Sequence, residues 1–420
     1  MAMHLTTVLR SGPILWAALI LLPGLVWLNS DEHPGKDAYW EAATSNSLLL
    51  LGFTAAVCGA CAAWEGSRLA VADVGGWAPV RSPIRIAYHQ LLPTALLGVL
   101  ALVVTLLASG TEALGGYGYP NVLLLVMATV VVLGHIAAGY AVGLRMPRLL
   151  GAAVMLGIGY FWGFWPASLA EPTWLRHLNG QGVSLGASLD QIPSVRSAAA
   201  TLTLYAGIVT TIALLLTLRR GKQRTVVSSL TAALALAGSL TLAVPLGFTT
   251  TQPRDRALYQ CNGSRPQLCT WPEQRPYQEQ FAHLWQQAQE RLYPLGIFVR
   301  ERYSPGTITP QRVTNLEEIA TSPLPEQPPQ CAQDHPYPGA DATSAIRPWL
   351  AMAAGLKPSD LLDHWAKDDV TRAEEVRKLP LPQQRAWYER NMQAVRDCSV
   401  QPELTPAAFG TATAQRKEIP

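Results

Sequence analysis

The 420 residues contain no Gly-rich phosphate loop of the Walker type and no HExxH pair of a zinc protease. A chain without its own nucleotide loop cannot power transport alone. No dense Lys/Arg tract interleaved with aromatics occurs either, and the formal net charge is only +3, so nucleic acid is not an expected partner. Charged residues make up 15% of the chain and are nearly missing from its long apolar runs. That argues against a proton- or ion-coupled pump, whose pathway needs carboxylates at membrane depth. Cysteines number six; the four beyond residue 250 lack paired CxxC spacing and have no accompanying His pair, which speaks against zinc. No metal or other cofactor is expected.

What the chain has instead is apolar length. Runs at 13–28, 47–64, 91–108, 122–144, 149–169, 201–218 and 226–248 each approach the length a helix needs to cross the hydrocarbon layer with its amides satisfied internally. The first, preceded by Arg10, could pass for a signal peptide. No small-residue cleavage site follows it, so it reads as a retained helix. The expected fold is an α-helical polytopic membrane protein of about seven transmembrane helices (1–248) with a C-terminal, α-rich, disulfide-containing extracytoplasmic domain (249–420).

Orientation follows from the short loops. With the N-terminus in the cytoplasm, the inner loops hold Arg10; Arg68, Arg81 and Arg85; Arg145 and Arg148; and Arg219, Arg220, Lys222 and Arg224, against only Lys36, Arg176 and Arg196 outside. Basic residues resist translocation, so the N-terminus is predicted inside and the C-terminal domain outside. Cys58 and Cys61, within the second run, read as small packing residues. Cys261, Cys269, Cys331 and Cys398 all fall in the domain expected outside, where an even number implies disulfides. Three pairings are possible; Cys261 with Cys269 and Cys331 with Cys398 is favoured, the first closing a short turn and the second a long proline-rich stretch.

Within the membrane half, Gly134 with Ala138, Gly139 with Gly143, and Gly151, Gly157, Gly159 and Gly163 recur at spacings that permit close helix approach. Tyr160, Phe161, Trp162, Phe164 and Trp165 read as an interfacial aromatic belt, and His135 as a lone histidine bonded to a helix neighbour. The segment from Trp64 to Tyr88 carries Glu65, Arg68, Asp73 and Arg81 and begins with helical patterning, Leu69, Val71, Ala72 and Val74, that Gly75, Gly76, Pro79 and Pro83 terminate. A short amphipathic piece at the membrane surface results, able to rest on headgroups or dock a cytosolic partner. Gly182-Val183-Ser184-Leu185-Gly186 matches the GxSxG form of a nucleophile elbow but lies between two spans, without the strand and helix an elbow needs.

Beyond Phe248, helices are predicted at 277–293, 344–356, 359–366 (with Ser359 as N-cap) and 382–398, a strand at 297–303, and an irregular connection at 323–338. Cys269-Thr270-Trp271-Pro272-Glu273, with Cys261 upstream and a closing Pro-Gln-Gln-Arg-Ala-Trp-Tyr…Cys pattern ending at Cys398, resembles a group of actinobacterial multispanning proteins. These look like permease subunits of type-2 ABC transporters carrying an extracytoplasmic C-terminal domain. The resemblance implies a non-enzymatic subunit in a bacterial cell membrane, served by a separate ATP-binding subunit that touches the loop at Glu65, Arg68, Asp73 and Arg81, and paired with a second membrane subunit. Such permeases have six spans and both ends in the cytoplasm; a seventh here would export the C-terminus. A membrane-anchored binding or sensory protein is the alternative.

Overall fold

The computed structural model describes residues 12–30, 39–72, 82–111, 113–114, 117–169, 171–181, 189–218, 221–333 and 337–410. The chain divides into two compact units, residues 1–254 and 255–420. The first contains α1 (Ile14–Ser30), α2 (Trp40–Ser47), a 3-10 turn (Leu48–Leu50), α3 (Leu51–Val71), α4 (Pro83–Ser109), α5 (Val122–Gly143), α6 (Arg148–Ser168), a 3-10 segment (Thr173–His177), β1 (Gln191–Pro193), α7 (Val195–Thr217), α8 (Lys222–Ala243) and β2 (Thr251–Pro253). Among the described residues six helices, counting α2 to α3 as one, are long and apolar enough to cross a membrane. The chain is therefore a multi-pass membrane protein. Helix α1 is equally apolar but, at 17 residues, shorter.

Local chemistry sets the helix starts. Ser82, with Pro83 in the first turn, caps α4 by accepting from the Arg85 amide; Asn121 caps α5 at Leu124 N and Ser194 caps α7 at Ser197 N. Helix α2 is polar, and its hydroxyls turn back on their own helix: Thr44 Oγ1 donates to Trp40 O at 2.6 Å and Ser47 Oγ to Thr44 O at 2.7 Å. This satisfies groups that would otherwise be buried bare, so the second span begins at Trp40, well before the apolar run at 47. The helical start expected for the Trp64 to Tyr88 segment is the continuation of α3 through Val71, not a separate piece; residues 73–81 lie outside the described residues.

Helix α3 is the axis of this unit. The 40–71 span is 67% buried along its apolar window, whereas α8 is 17% buried. Glycines make that position attainable. A Cβ on Gly139 or Gly143 of α5 would strike the Gly59 or Ala63 carbonyl of α3, and one on Gly66 would lie 2.6 Å from Tyr140 O. On another side, a Cβ on Gly159 of α6 would fall 2.7 Å from Ala56 Cα, and one on Gly163 2.7 Å from Gly52 Cα. Two stripes of small residues thus let three backbones touch. Gly157, expected to share in this packing, has nothing within 4 Å. Helices α7 and α8 form a hairpin in which Gly207 meets Ala235, and Gly134 of α5 accommodates the ring of Tyr205. Strands β1 and β2 pair antiparallel, Gln191 opposite Pro253. That ribbon moves the unit boundary past Arg254, beyond the Phe248 expected from composition.

The second unit contains β3 (Gln260–Asn262), β4 (Gln267–Thr270), α9 (Gln278–Leu292), β5 (Arg302–Tyr303), α10 (Arg312–Thr321), α11 (Gly339–Ala353), α12 (Pro358–Leu361), α13 (Lys367–Arg377), α14 (Leu381–Arg396) and α15 (Ala407–Gly410). Strand β3 pairs antiparallel with β4, and β4 parallel with β5. Cys261 is bonded to Cys269 and Cys331 to Cys398. The core is one cluster in which Phe281, Leu292, Leu316, Trp349 and Trp387 are fully buried. Helix α9 presents Phe281, Leu284, Trp285, Ala288 and Leu292 to it, the face its periodicity predicts.

Three expectations change here. The strand at 297–303 shrinks to Arg302–Tyr303, because the amides of Val299 and Arg300 go to Gln289 Oε1 (3.1 Å) and Ser322 Oγ (3.0 Å), not to a ladder. The helix at 359–366 is a single turn, Pro358–Leu361, capped at Lys357 by Asp360 and not at Ser359. Helices α10 and α13 appear where none was expected, each burying a narrow apolar edge such as Val370, Ala373 and Val376.

The glycine contacts give a direct test. Gly139→Leu or Gly143→Leu forces α5 off α3 and is expected to cost about 3 kcal/mol or more, whereas Gly157→Ala stays within about 0.5 kcal/mol of wild type, read as melting of the purified chain in detergent.

Candidate functional site

Of the four residues expected to contact a cytosolic ATPase, two are described. Glu65 and Arg68 lie in the last turns of α3, and Asp73 and Arg81 fall outside the described residues, as does the GxSxG motif at Gly182 to Gly186. Glu65 is not in a loop: its side chain is 0% exposed, and that of Arg68 is 23% exposed. Arg68 Nη1 donates to both carboxylate oxygens at 3.0 Å. Gln90 Nε2, from α4, donates to Oε2. The helical i, i+3 spacing brings the guanidinium over the carboxylate, and α4 supplies a neutral donor from the other side. A buried charge needs such a set of partners, since desolvation otherwise exceeds the Coulombic return.

The geometry has a mechanical meaning. Glu65 stands on the helix entering the 72–82 segment and Gln90 on the helix leaving it. Their bond holds together the two stems of that segment.

A second polar cluster links α6, α7 and the end of α8. Arg176, 1% exposed, donates to Phe248 O (3.2 Å), Leu169 O (2.6 Å) and Ala167 O (3.3 Å), with its Cζ 3.5 Å from the Phe248 ring centre. His177 Nε2 faces Gly247 O at 2.9 Å, and a carbonyl only accepts, so that nitrogen carries the proton. Nδ1 then accepts from Ser197 Oγ at 2.9 Å. Burial lowers the His177 pKa, and Arg176 adds to the effect. Ser197 is fully buried, so this Ser–His contact faces the protein interior. Asn179 Nδ2 donates to Gly163 O at 2.9 Å, and Gln181 Nε2 to Leu49 O. These side chains close irregular backbone that lipid could not satisfy. Arg176, counted above among the outer-loop cations, is a structural residue.

His135 bonds Val131 O through Nδ1 at 3.0 Å and stacks on Tyr205 at 5.3 Å, the helix-neighbour arrangement expected of it. The aromatic belt divides: Tyr160, Phe161 and Trp165 are exposed, whereas Trp162 donates to Tyr205 Oη at 2.9 Å and Phe164 packs on Phe53 at 4.8 Å. Cys58 and Cys61 are buried and free.

In the second unit, Glu318 collects donors from Tyr303 Oη, Gly306 N and Asn315 Nδ2, each at 3.3 Å. Asn315 Oδ1 in turn accepts from Thr307 Oγ1 at 3.0 Å and Gln311 N at 2.8 Å, and buried Gln274 ties Pro305 O and Thr307 O at 2.7 and 2.8 Å. This network, not anticipated from sequence, fixes the 305–311 loop. Burial raises the carboxyl of Glu318 above its ordinary 4.5 and raises the Tyr303 phenol as well. Among the described residues no group of three or more His, Cys, Asp or Glu is placed to hold a metal.

The fold and these sites together define a helical multi-pass membrane unit joined to a disulfide-bonded helical domain. The family model of a domain of unknown function, DUF7224, matches residues 268–398, which lie within the second unit. No curated protein and no solved structure matches the chain.

Two measurements probe these networks. Glu65→Ala leaves Arg68 and Gln90 facing an apolar gap and is expected to destabilise the bundle by about 3 kcal/mol, with Glu65→Gln costing clearly less because it keeps an acceptor for Gln90. For Glu318 the folded pKa is raised, so its contribution is complete below 4.5 and is lost as pH rises through the folded value. Glu318→Gln should therefore flatten the loss of stability above pH 4.5, followed by thermal melting across pH.

Proposed function

We propose that this chain is the membrane-spanning, non-enzymatic subunit of an ABC-type transporter in a bacterial cell membrane, driven by a separate ATP-binding subunit that docks on the 72–82 segment. The N-terminus is cytoplasmic, α1 is a seventh crossing, and the disulfide-bonded domain lies outside. A second membrane subunit, identical or related, completes the assembly. The observation that carries the reading is the Glu65–Gln90 bond between α3 and α4. It makes the stems of the docking segment one rigid lever, so that a push on the segment reaches α3, the helix against which α5 and α6 pack. The Lys/Arg bias of the loops supports the orientation. The two cystines support an oxidising location for the second unit.

The test is co-purification of the tagged full-length chain. A nucleotide-hydrolysing subunit is expected to accompany the wild type and to be lost when Asp73 and Arg81 are both replaced by Ala, with Glu65 and the bundle intact. A reporter fused after Pro420 should be active only outside the cytoplasm. A folded chain that never recruits such a partner would instead be a membrane-anchored binding or sensory protein presenting its C-terminal domain.

A further inference from the structure

Cys261 and Cys269 stand directly opposite one another on the antiparallel strands β3 and β4, and β5 runs parallel along the other side of β4 with Arg302 beside Gln267 and Tyr303 beside Leu268. Leu268 and Tyr303 belong to the domain core, so strand alternation turns Arg302, Gln267 and the cystine to the opposite face. There the Arg302 guanidinium spans the disulfide. Its Nε donates to Cys269 Sγ at 3.3 Å and its Nη2 to Cys261 Sγ at 3.7 Å. The two sulfurs differ in access: Cys261 lies on the edge strand β3, whose three residues are all exposed, whereas Cys269 is 0% exposed. The second cystine, Cys331–Cys398, is half-buried at both ends, and among the described residues no side chain donates to its sulfurs.

A bridge spanning only eight residues of sequence restricts the unfolded chain less than the 67-residue closure does, so folding holds it less firmly in the oxidised form. Thiol–disulfide exchange needs one sulfur open to attack and the other able to leave as a thiolate. Cys261 meets the first need by exposure. Burial alone would make Cys269 a poor leaving group, and a guanidinium N–H on its sulfur offsets that by stabilising the anion as it forms. Access and charge therefore select the same direction of cleavage.

We propose that Cys261–Cys269 is a thiol-exchange site of the C-terminal domain, opened by a dithiol reductant, with Arg302 as the residue that holds the departing sulfur. A thiolate of the reductant attacks Cys261 Sγ; a mixed disulfide forms at Cys261, the Cys261–Cys269 bond breaks, and its electron pair leaves on Cys269 Sγ beside Arg302 Nε. The second thiol of the reductant then attacks its own sulfur in the mixed disulfide. Cys261 is released, the reductant becomes a disulfide, and the chain has gained two electrons, with protons taken from solvent. Strand β3, which buries none of its residues, then loses its covalent tie to β4. This chemistry is independent of what the membrane unit carries.

The oxidised full-length chain in neutral detergent is incubated with dithiothreitol, quenched with N-ethylmaleimide at intervals, denatured, and mapped by peptide mass spectrometry. Cys261–Cys269 is expected to open at least about tenfold faster than Cys331–Cys398, and Arg302→Gln to slow that opening about fivefold, with Arg302→Lys intermediate and Arg390→Gln on α14 unchanged. Thermal melting of each oxidised variant checks that it is folded. In a separate reaction, reduced glutathione should leave its adduct on Cys261 of the wild type, a readout that needs no variant. Equal opening of the two cystines, an adduct mainly on Cys269, or opening in folded Arg302→Gln as fast as in wild type overturns the site.

Discussion

Contact between bare backbones is the constraint on which the membrane unit depends. Lipid offers no hydrophobic drive for helices to associate, so close approach and the dispersion it brings must hold them together. Gly139 and Gly143 on one side of α3, and Gly159 and Gly163 on another, supply that approach. With its neighbours seated, α3 can keep Glu65 away from water, and the hydroxyls of α2 can be satisfied inside the bundle. Were those glycines larger, the carboxylate would lose its shield and the 72–82 stems their common anchor.

The C-terminal domain is held differently. Its core is a single aromatic-rich cluster from helices distant in sequence, reinforced by a long-range cystine and a short one. In the chain-entropy picture the Cys331–Cys398 closure, 67 residues apart, contributes about 4 kcal/mol by restricting the unfolded chain. Buried amides do the remaining work on irregular backbone: Gln274, Asn315 and Gln384 each bond main-chain groups that no sheet or helix reaches. Small α-rich domains with many prolines need such devices, because proline removes donors and leaves carbonyls to be matched.

Much of this was readable from residue pattern alone. Apolar runs located the spans because lipid permits few alternatives, and the cysteines beyond residue 250 pointed to disulfides. The periodicity of α9 was plain, since its five buried residues keep helical spacing over several turns. Elements stabilised by side chains acting locally were not: α2 is polar and owes its burial to hydroxyls bonding back to their own helix. Helices α10 and α13 bury only a narrow edge, too weak a signal against their charged faces. Glu65 was assigned to a loop because hydropathy falls at Trp64, although Arg68 three residues on marked an internal pair. Arg176, His177 and Asn179 looked like ordinary loop residues; nothing in their spacing reveals that they cage carbonyls from α6 and from the end of α8.

The Glu65–Gln90 bond has one more consequence. With the distance between its two roots set inside the bundle, the chain connecting them is under no obligation to hold the helices together. Closing a longer or shorter connection between fixed points changes the entropy only logarithmically. Evolution is thus free to rewrite, lengthen or trim residues 73–81 to suit a changing neighbour while leaving every helix contact as it was.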